Sequence, residues 1–359
     1  MQISTTNDAL QEAIRIISRL APPVSGNVAV QSNGKRVHMV SNSETSSCSV
    51  TLPGDVEGKA NVFAVAMQSL RDATKGRKDL KIAYDKTLCK ITSGAYKCEL
   101  PTVDAMQLED DQDKKEKAIK IDAEQASWLR TTVSAVALKP TTLIATFMPL
   151  SVKLTNKGAF VACYDSNHMA FIHSNEITGS MEVKLPLDMF QAVLDAFKGE
   201  FTIELSKSNL YVSNKLVKVA LSLPQEEENE LKLEEVISAV KDIKGSKGTE
   251  VEVKKEDIIA FMDNARAVAT KERSEVSLTV ADGKMSLAVQ TSNGSTKALI
   301  KTTKSKKIKV MIDFEFLDEA IRKSGDVVQM KIVDDQFIAF HLKVGTVIVS
   351  LNQETSEEE

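Results

Sequence analysis

Arg15 and Arg19 stand four residues apart in "DALQEAIRIISRLA" (8–21), as do Arg71 and Lys75 in "VFAVAMQSLRDATKG" (62–76). On a helix that spacing puts both cations on one face. Such a face can attract phosphate oxygens without reading any base sequence, or it can complement the carbonyl end of its own helix. Residues suited to covalent or metal chemistry are not gathered in this way. His38, His168, His173 and His341 form no HExxH or other ligand spacing, and Cys48, Cys89, Cys98 and Cys163 form no CxxC. The chain has no GxxxxGK[ST] phosphate loop, no GxGxxG after a strand pattern and no GxSxG elbow. We therefore expect no enzyme activity, no metal site and no cofactor. The cysteines read as buried thiols in a reducing cytoplasm, and His168 as a surface or pocket-rim residue.

The 359 residues exceed the usual size of one domain, so two or three are expected. Hydrophobic residues make up 42% and charged residues 27%, the composition of an ordinary globular protein. No apolar run approaches the roughly 18 residues of a membrane span, and "MQISTTNDAL" lacks the pattern of a signal peptide. The net charge of −4 argues against a simple basic nucleic-acid binder. However, acids concentrate in "EDDQD" (109–113), "EEENE" (226–230) and the terminal "EEE" (357–359), and the rest of the chain is net positive. These runs read as solvated linkers and a tail.

The elements that would position the cations recur along the chain. "VFAVAMQSLRDATKG" (62–76), "LDMFQAVLDAFKG" (187–199) and "FEFLDEAIRKSG" (314–325) share helical apolar spacing and a closing Gly, expected in the left-handed position after a helix. Hairpin patterns follow at 88–101, 210–224 and 337–351. A second series places alternating strands around Gly34, Gly158 and Gly283, preceded by amphipathic helices at 8–21, 122–137 and 255–269. Asp122 with Gln125 forms a capping-box pattern before the middle helix. Both glycine series repeat at about 125 residues, too long a period for a solenoid. The chain thus reads as three domains of two helix-plus-hairpin units each: 1–113, 114–246 and 247–353, with an acidic tail at 354–359.

Several stretches, in order, resemble the three-domain sliding clamps of bacterial-type replication, the beta subunit of DNA polymerase III, in a bacterial or phage version. "RLAPPVSGNVAV" (19–30) matches the segment leaving the family's first helix, with Arg19, Pro23, Gly26 and Asn27 in register. "LCKITSGAYKCELPTVDA" (88–105) looks like its first-domain ending, "FVACYDSNHMAF" (160–171) its TDGHRLA stretch, and "NARAVA" (264–269) a third-domain helix. The resemblance implies an α+β clamp fold in which helices line a ring and sheets lie outside. It implies a head-to-tail homodimer around double-stranded DNA that tethers a DNA polymerase and is placed by a clamp loader, in the cytoplasm of a bacterium or an infected host, with no membrane contact. The alternative is a clamp-fold interaction scaffold that does not thread DNA.

DNA-facing candidates under this resemblance are Arg15, Arg19, Arg71, Lys75, Arg77, Lys78, Arg130, Lys198, Arg266, Lys271, Arg273, Arg322 and Lys323. Arg19 and Arg71 fall where the family has DNA-side arginines. A partner-peptide pocket would use Phe147, Tyr164, Met169, Ile243, Val349 and Leu351. His168 stands where the family often has Arg, and "VSLNQE" replaces a Met-Pro ending, so a different peptide is expected. Cys98 and Leu100 map to the first-domain edge strand of the ring seam, with Val268 and Ala269 on its opposite face.

Overall fold

The computed structural model describes residues 1–59, 61–103, 105, 118–138, 148–165, 167–175, 177–223, 233–269, 274–303, 306–333 and 336–351. The first third carries β1 (Gln2–Thr6), α1 (Asn7–Leu20), β2 (Asn27–Ser32), β3 (Val37–Asn42), β4 (Ser46–Leu52), β5 (Asp55–Glu57) and β6 (Asn61–Ala66). It continues with α2 (Met67–Thr74), β7 (Asp79–Asp85), β8 (Leu88–Ser93) and β9 (Tyr96–Val103). The middle third holds β10 (Ile119–Ile121), α3 (Ala123–Val136), β11 (Pro149–Thr155), β12 (Gly158–Tyr164), β13 (His168–Ser174) and β14 (Met181–Pro186). After these come α4 (Leu187–Ala196), β15 (Phe201–Leu205), β16 (Asn209–Ser213), β17 (Val217–Ser222) and α5 (Leu233–Gly245). The last third has β18 (Thr249–Lys254), α6 (Lys255–Ala265), β19 (Glu275–Ala281), β20 (Lys284–Thr291), β21 (Gly294–Lys301) and β22 (Ile308–Asp313). It closes with α7 (Phe314–Lys323), β23 (Ser324–Val333), β24 (Phe337–Leu342) and β25 (Thr346–Ser350).

Each third is therefore a strand–helix–strands motif written twice, and α5 is the helix without a counterpart among the described residues. Local chemistry explains the helices. Leu10, Ile14 and Ile17 bury the apolar stripe of α1, and the Thr6 hydroxyl accepts a hydrogen bond from the Ala9 amide at its start. The capping box before α3 forms reciprocally: Gln125 N–H donates to Asp122 Oδ1 at 2.8 Å, and Asp122 N–H to Gln125 Oε1 at 3.1 Å. The three expected hairpins are β8–β9, β16–β17 and β24–β25.

Two local expectations need correction. The helical reading of 62–76 holds only from Met67, because Asn61–Ala66 pairs along its length with β2. Val62, Phe63 and Val65 suit that pairing, and the sheet outweighs the helical spacing. Of the three closing glycines only Gly76 takes the left-handed conformation, at φ +72°. Ser324 ends α7 in an extended conformation and Gly325 already belongs to β23. The helix 255–269 likewise stops at Ala265. Gly34, Gly158 and Gly283 all sit at positive φ, as turns in their hairpins require.

The chain groups into two compact units, one of Met1–Arg130 with Met189–Gln225, the other of Thr131–Asp188 with Glu226–Glu359. The cut passes through the middle repeat because sheets run from one repeat into the next. In the first unit β17 pairs with β4, Val217 opposite Val50, joining a 13-stranded sheet in the order β10-β15-β16-β17-β4-β3-β2-β6-β9-β8-β7-β1-β5. In the second unit β13 pairs with β25, His168 opposite Val349, in the eight-stranded sheet β14-β11-β12-β13-β25-β24-β23-β18. A four-stranded sheet, β21-β20-β19-β22, completes that unit. No helix among the described residues is long and apolar enough to cross a membrane.

Candidate nucleic-acid interface and partner surface

In the first unit α1 turns its apolar stripe inward and leaves Arg15 and Arg19 exposed. Arg15 donates to both Glu12 oxygens at 2.7 and 2.8 Å. That bond holds the Glu12 carboxyl below its ordinary range and pushes Arg15 up. Arg19 Nη1 lies 2.7 Å from Asp195 Oδ2. Exposed pairs of this kind contribute about 0–1 kcal/mol, so either guanidinium can exchange its carboxylate for a phosphate. Arg71, Lys75, Lys78 and Lys198 are exposed, with no side-chain hydrogen bond or ion pair among the described residues.

Two expected DNA-side cations of this unit are committed elsewhere. Arg77 lies over the Tyr96 ring, 3.8 Å from its centroid, which ties the loop after α2 to β9. Arg130 is half-buried and donates to the carbonyls of Phe197 at 3.0 Å and Leu194 at 3.5 Å. These are carbonyls at the end of α4 that lack helical partners, so Arg130 is a C-terminal cap.

The second unit handles its cations differently. Asp318, on α7, keeps a side chain only 7% exposed, and Arg266 and Arg322 both pair with it. Arg322 Nε lies 3.0 and 2.9 Å from the two Asp318 oxygens, and its Nη2 lies 2.8 Å from Asp263. These bonds push Arg322 still higher than its ordinary value, the Asp318 bond first. Lys323 donates to the carbonyls of Ala135 and Ala137 and stands 4.0 Å from Glu319. Lys271 and Arg273 lie outside the described residues.

The candidate partner residues divide between two faces of the eight-stranded sheet. Tyr164 is opposite Met169, and Met169 opposite Ile348, so these three share one face. Phe160, Ala162, Phe171 and Ala339 lie on the same face, and α5 packs over it with Val236, Ile237, Val240 and Ile243. The expectation for Val349 is thus one residue out of register. Val349 pairs with His168 and Ile338 on the opposite face, and Ile348 takes the place beside Met169. A period of two makes any one-residue offset a change of face. Leu351 is half-buried beyond β25, its N–H donating to the Gln336 carbonyl at 3.0 Å. Phe147 lies outside the described residues.

His168 is not a surface residue. Its side chain is 1% exposed, bonds Asp165 Oδ1 through Nδ1 at 2.9 Å and stacks on Phe316 of α7 with centroids 4.5 Å apart. Nε2 has no hydrogen-bond partner, and Glu319 Oε2 stands 3.9 Å away. Burial accounts for the thiols too: it pushes Cys48, Cys89 and Cys163 to about 12. Only Cys98 is half-buried.

Cys98 and Leu100 lie on β9, opposite Ile91 and Cys89 of β8. Beyond the contact of Thr102 and Val103 with β6, the other edge of β9 has no strand partner among the described residues. β21 is a second such edge, paired only with β20. Val268 and Ala269 flank it. The Thr291 hydroxyl donates to the Val268 carbonyl at 2.6 Å, and a Cβ on Gly294 would come within 3.3 Å of Val268 Cγ1.

No protein-family profile matches the chain, and no curated protein does. Solved structures do match. The DNA polymerase III beta subunit of Thermotoga maritima is 14% identical, with a TM-score of 0.82 over 98% of this chain and 99% of that one. The beta subunit of Pseudomonas aeruginosa is 12% identical, with a TM-score of 0.79 over 98% of this chain and 100% of that one. The pol III beta of Caulobacter crescentus gives the same identity, coverage and TM-score. From β1 to β25, the chain has the fold of the DNA polymerase III beta-subunit sliding clamps.

Proposed function

We propose that this protein is a processivity clamp: two copies close head to tail around duplex DNA and tether a polymerase, without catalysing a reaction. The observation that carries this reading is the fold match over 98% of the chain and essentially the whole of each neighbour, because a clamp acts through its topology. The unpaired edges of β9 and β21 support it. An exposed edge invites pairing, and β9 of one copy on β21 of the next buries both. Arg15, Arg19, Arg71, Lys75, Lys78 and Lys198 supply attraction to phosphates that is indifferent to sequence, which is what sliding requires. Polymerase and loader would dock on the sheet face that carries Tyr164, Met169 and Ile348.

The test is retention after loading. A clamp stays on closed circular duplex and runs off linear duplex of equal length, and light scattering gives a mass near twice 39.3 kDa. Equal loss from both DNAs would overturn threading and leave a clamp-fold scaffold.

A further inference from the structure

We infer that Glu12 and Asp195 are built-in competitors for phosphate: each holds an arginine of the candidate DNA face in the free chain, and together they weaken the grip so that the protein slides. The inference rests on the reading of Arg15 and Arg19 as DNA-side cations and deepens it, because it assigns a function to the acids beside them. Glu12, Arg15 and Arg19 fall at i, i+3 and i+7 on α1, so they share one face. Asp195 and Lys198 come to that face from α4 and the residues just after it. The Arg15 bond is the main cause that holds Glu12 low, and the Lys198 charge adds to it. The Glu12 bond likewise raises Arg15, and the Asp195 charge adds to that. The two pairs therefore form one patch, three cations against two acids.

Folding accounts for little of either acid. The Arg19 and Asp195 side chains are 50% and 46% exposed, and those of Arg15 and Glu12 43% and 45%. Pairs exposed to that degree stabilise a fold little. Asp195 stands in the last turn of α4, where the carbonyl ends of the helix disfavour a carboxylate. Nor does an exposed cation here need an acid: Arg71, Lys75 and Lys78, on and after α2, have none among the described residues. What the acids do change is the cost of binding phosphate. A phosphate that reaches Arg19 must first displace Asp195, so one anionic contact is exchanged for another. The released carboxylate, held nearby by its helix, then repels the newcomer. With both acids charged the patch presents one net positive charge; with both neutral it would present three. Counterion release, and with it the attraction to duplex, scales with the cations left free for phosphate.

The probe is a fluorescently labelled linear duplex of arbitrary sequence, titrated by anisotropy with the full chain over a range of salt. E12Q/D195N should bind it about tenfold or more tightly than the unaltered protein, with a salt dependence steeper by about 0.9 logarithmic units for each arginine freed. Single-molecule tracking on stretched duplex should show the variant diffusing more slowly. Unchanged affinity and salt slope would overturn the inference. So would a lower denaturant midpoint without tighter binding, which makes the pairs ties of the fold. D195N in an R19A background separates occupancy of Arg19 from the general field of the protein. The effect of D195N should largely vanish once Arg19 is gone, and equal tightening with and without Arg19 would overturn the competition. Retention after loading is measured alongside. Tighter duplex binding by E12Q/D195N without retention of either protein on circular DNA refutes the clamp reading and leaves the competition standing; retention with no change in affinity does the reverse.

Discussion

The helices of the two units carry similar numbers of cations and use them in opposite ways. Around α1 and α2, Arg71, Lys75 and Lys78 project with no carboxylate attached among the described residues, and Arg15 and Arg19 hold exposed acids that a phosphate can replace. Around α6 and α7, Arg266 and Arg322 converge on the nearly buried Asp318, and Lys323 holds two backbone carbonyls. The physical difference lies in the carboxylate. Replacing an exposed acid by a phosphate costs little, whereas leaving a buried one unpaired costs several kcal/mol. The same residue types are therefore exchangeable at the surface in one unit and hold helices together in the other.

The largest effect should come from the second unit. R266A/R322A strands Asp318 and should cost about 3 kcal/mol of stability, read as a lower denaturant midpoint. Adding D318N should recover much of that loss, since the unpaired charge goes with it. An unchanged midpoint together with poorer DNA retention would erase the contrast between the units. Next comes the first unit. R71E/K75E/K78E should shorten residence on circular duplex about tenfold or more, flatten the dependence on salt by roughly one logarithmic unit per lost phosphate contact, and leave the denaturant midpoint almost unchanged.

A third experiment contrasts the edge of β9 with the core. Thiols pushed to about 12 are ionised only to about one part in 10⁴ at pH 8, because reactivity belongs to the thiolate. An alkylating reagent should therefore modify Cys98 first and leave Cys48, Cys89 and Cys163 untouched until pH rises towards that value or the chain unfolds. If β9 closes the seam, modification of Cys98 should also slow as protein concentration rises. Fast labelling of a second thiol would contradict the packing. The smallest effect is expected of R15A, which removes an exposed pair and should change stability by no more than about 1 kcal/mol. Because Glu12 is held below its ordinary value, the pair's contribution is present above the unfolded-state value and fades as pH falls through the folded one. A midpoint difference between R15A and the unaltered protein that does not shrink as the solution is acidified would refute that assignment.

Much of the fold is legible in the residues alone. Apolar spacing locates the cores of six helices, turn glycines mark the hairpins, and the period of about 125 residues exposes the triplication. Asn61–Ala66 misleads because Val62, Phe63 and Val65 also fit a helical spacing, and pairing with β2 decides the matter. α5 escapes a reading by repeats although Val236, Ile237, Val240 and Ile243 carry a helical stripe after two acids. A search for repeats passes over an element that does not repeat. The candidate site is less legible. Ile348 and Val349 are adjacent, similar residues, and only the register of β25 on β13 shows which of them stands beside Met169.

The sequence by itself determined the repeat, the types of most elements, the absence of catalytic spacings and the identity of the cations, since each depends on near neighbours or composition. Tertiary structure decided which cations are available, which strands end as open edges and which face α5 covers. Those outcomes depend on distant partners: Asp195 reaching Arg19, Phe197 offering its carbonyl to Arg130, Asp318 drawing in Arg266, and β4 receiving β17 from far along the chain. Periodicity tells a residue which way it faces along its own element. What it meets there is settled only when the sheets assemble.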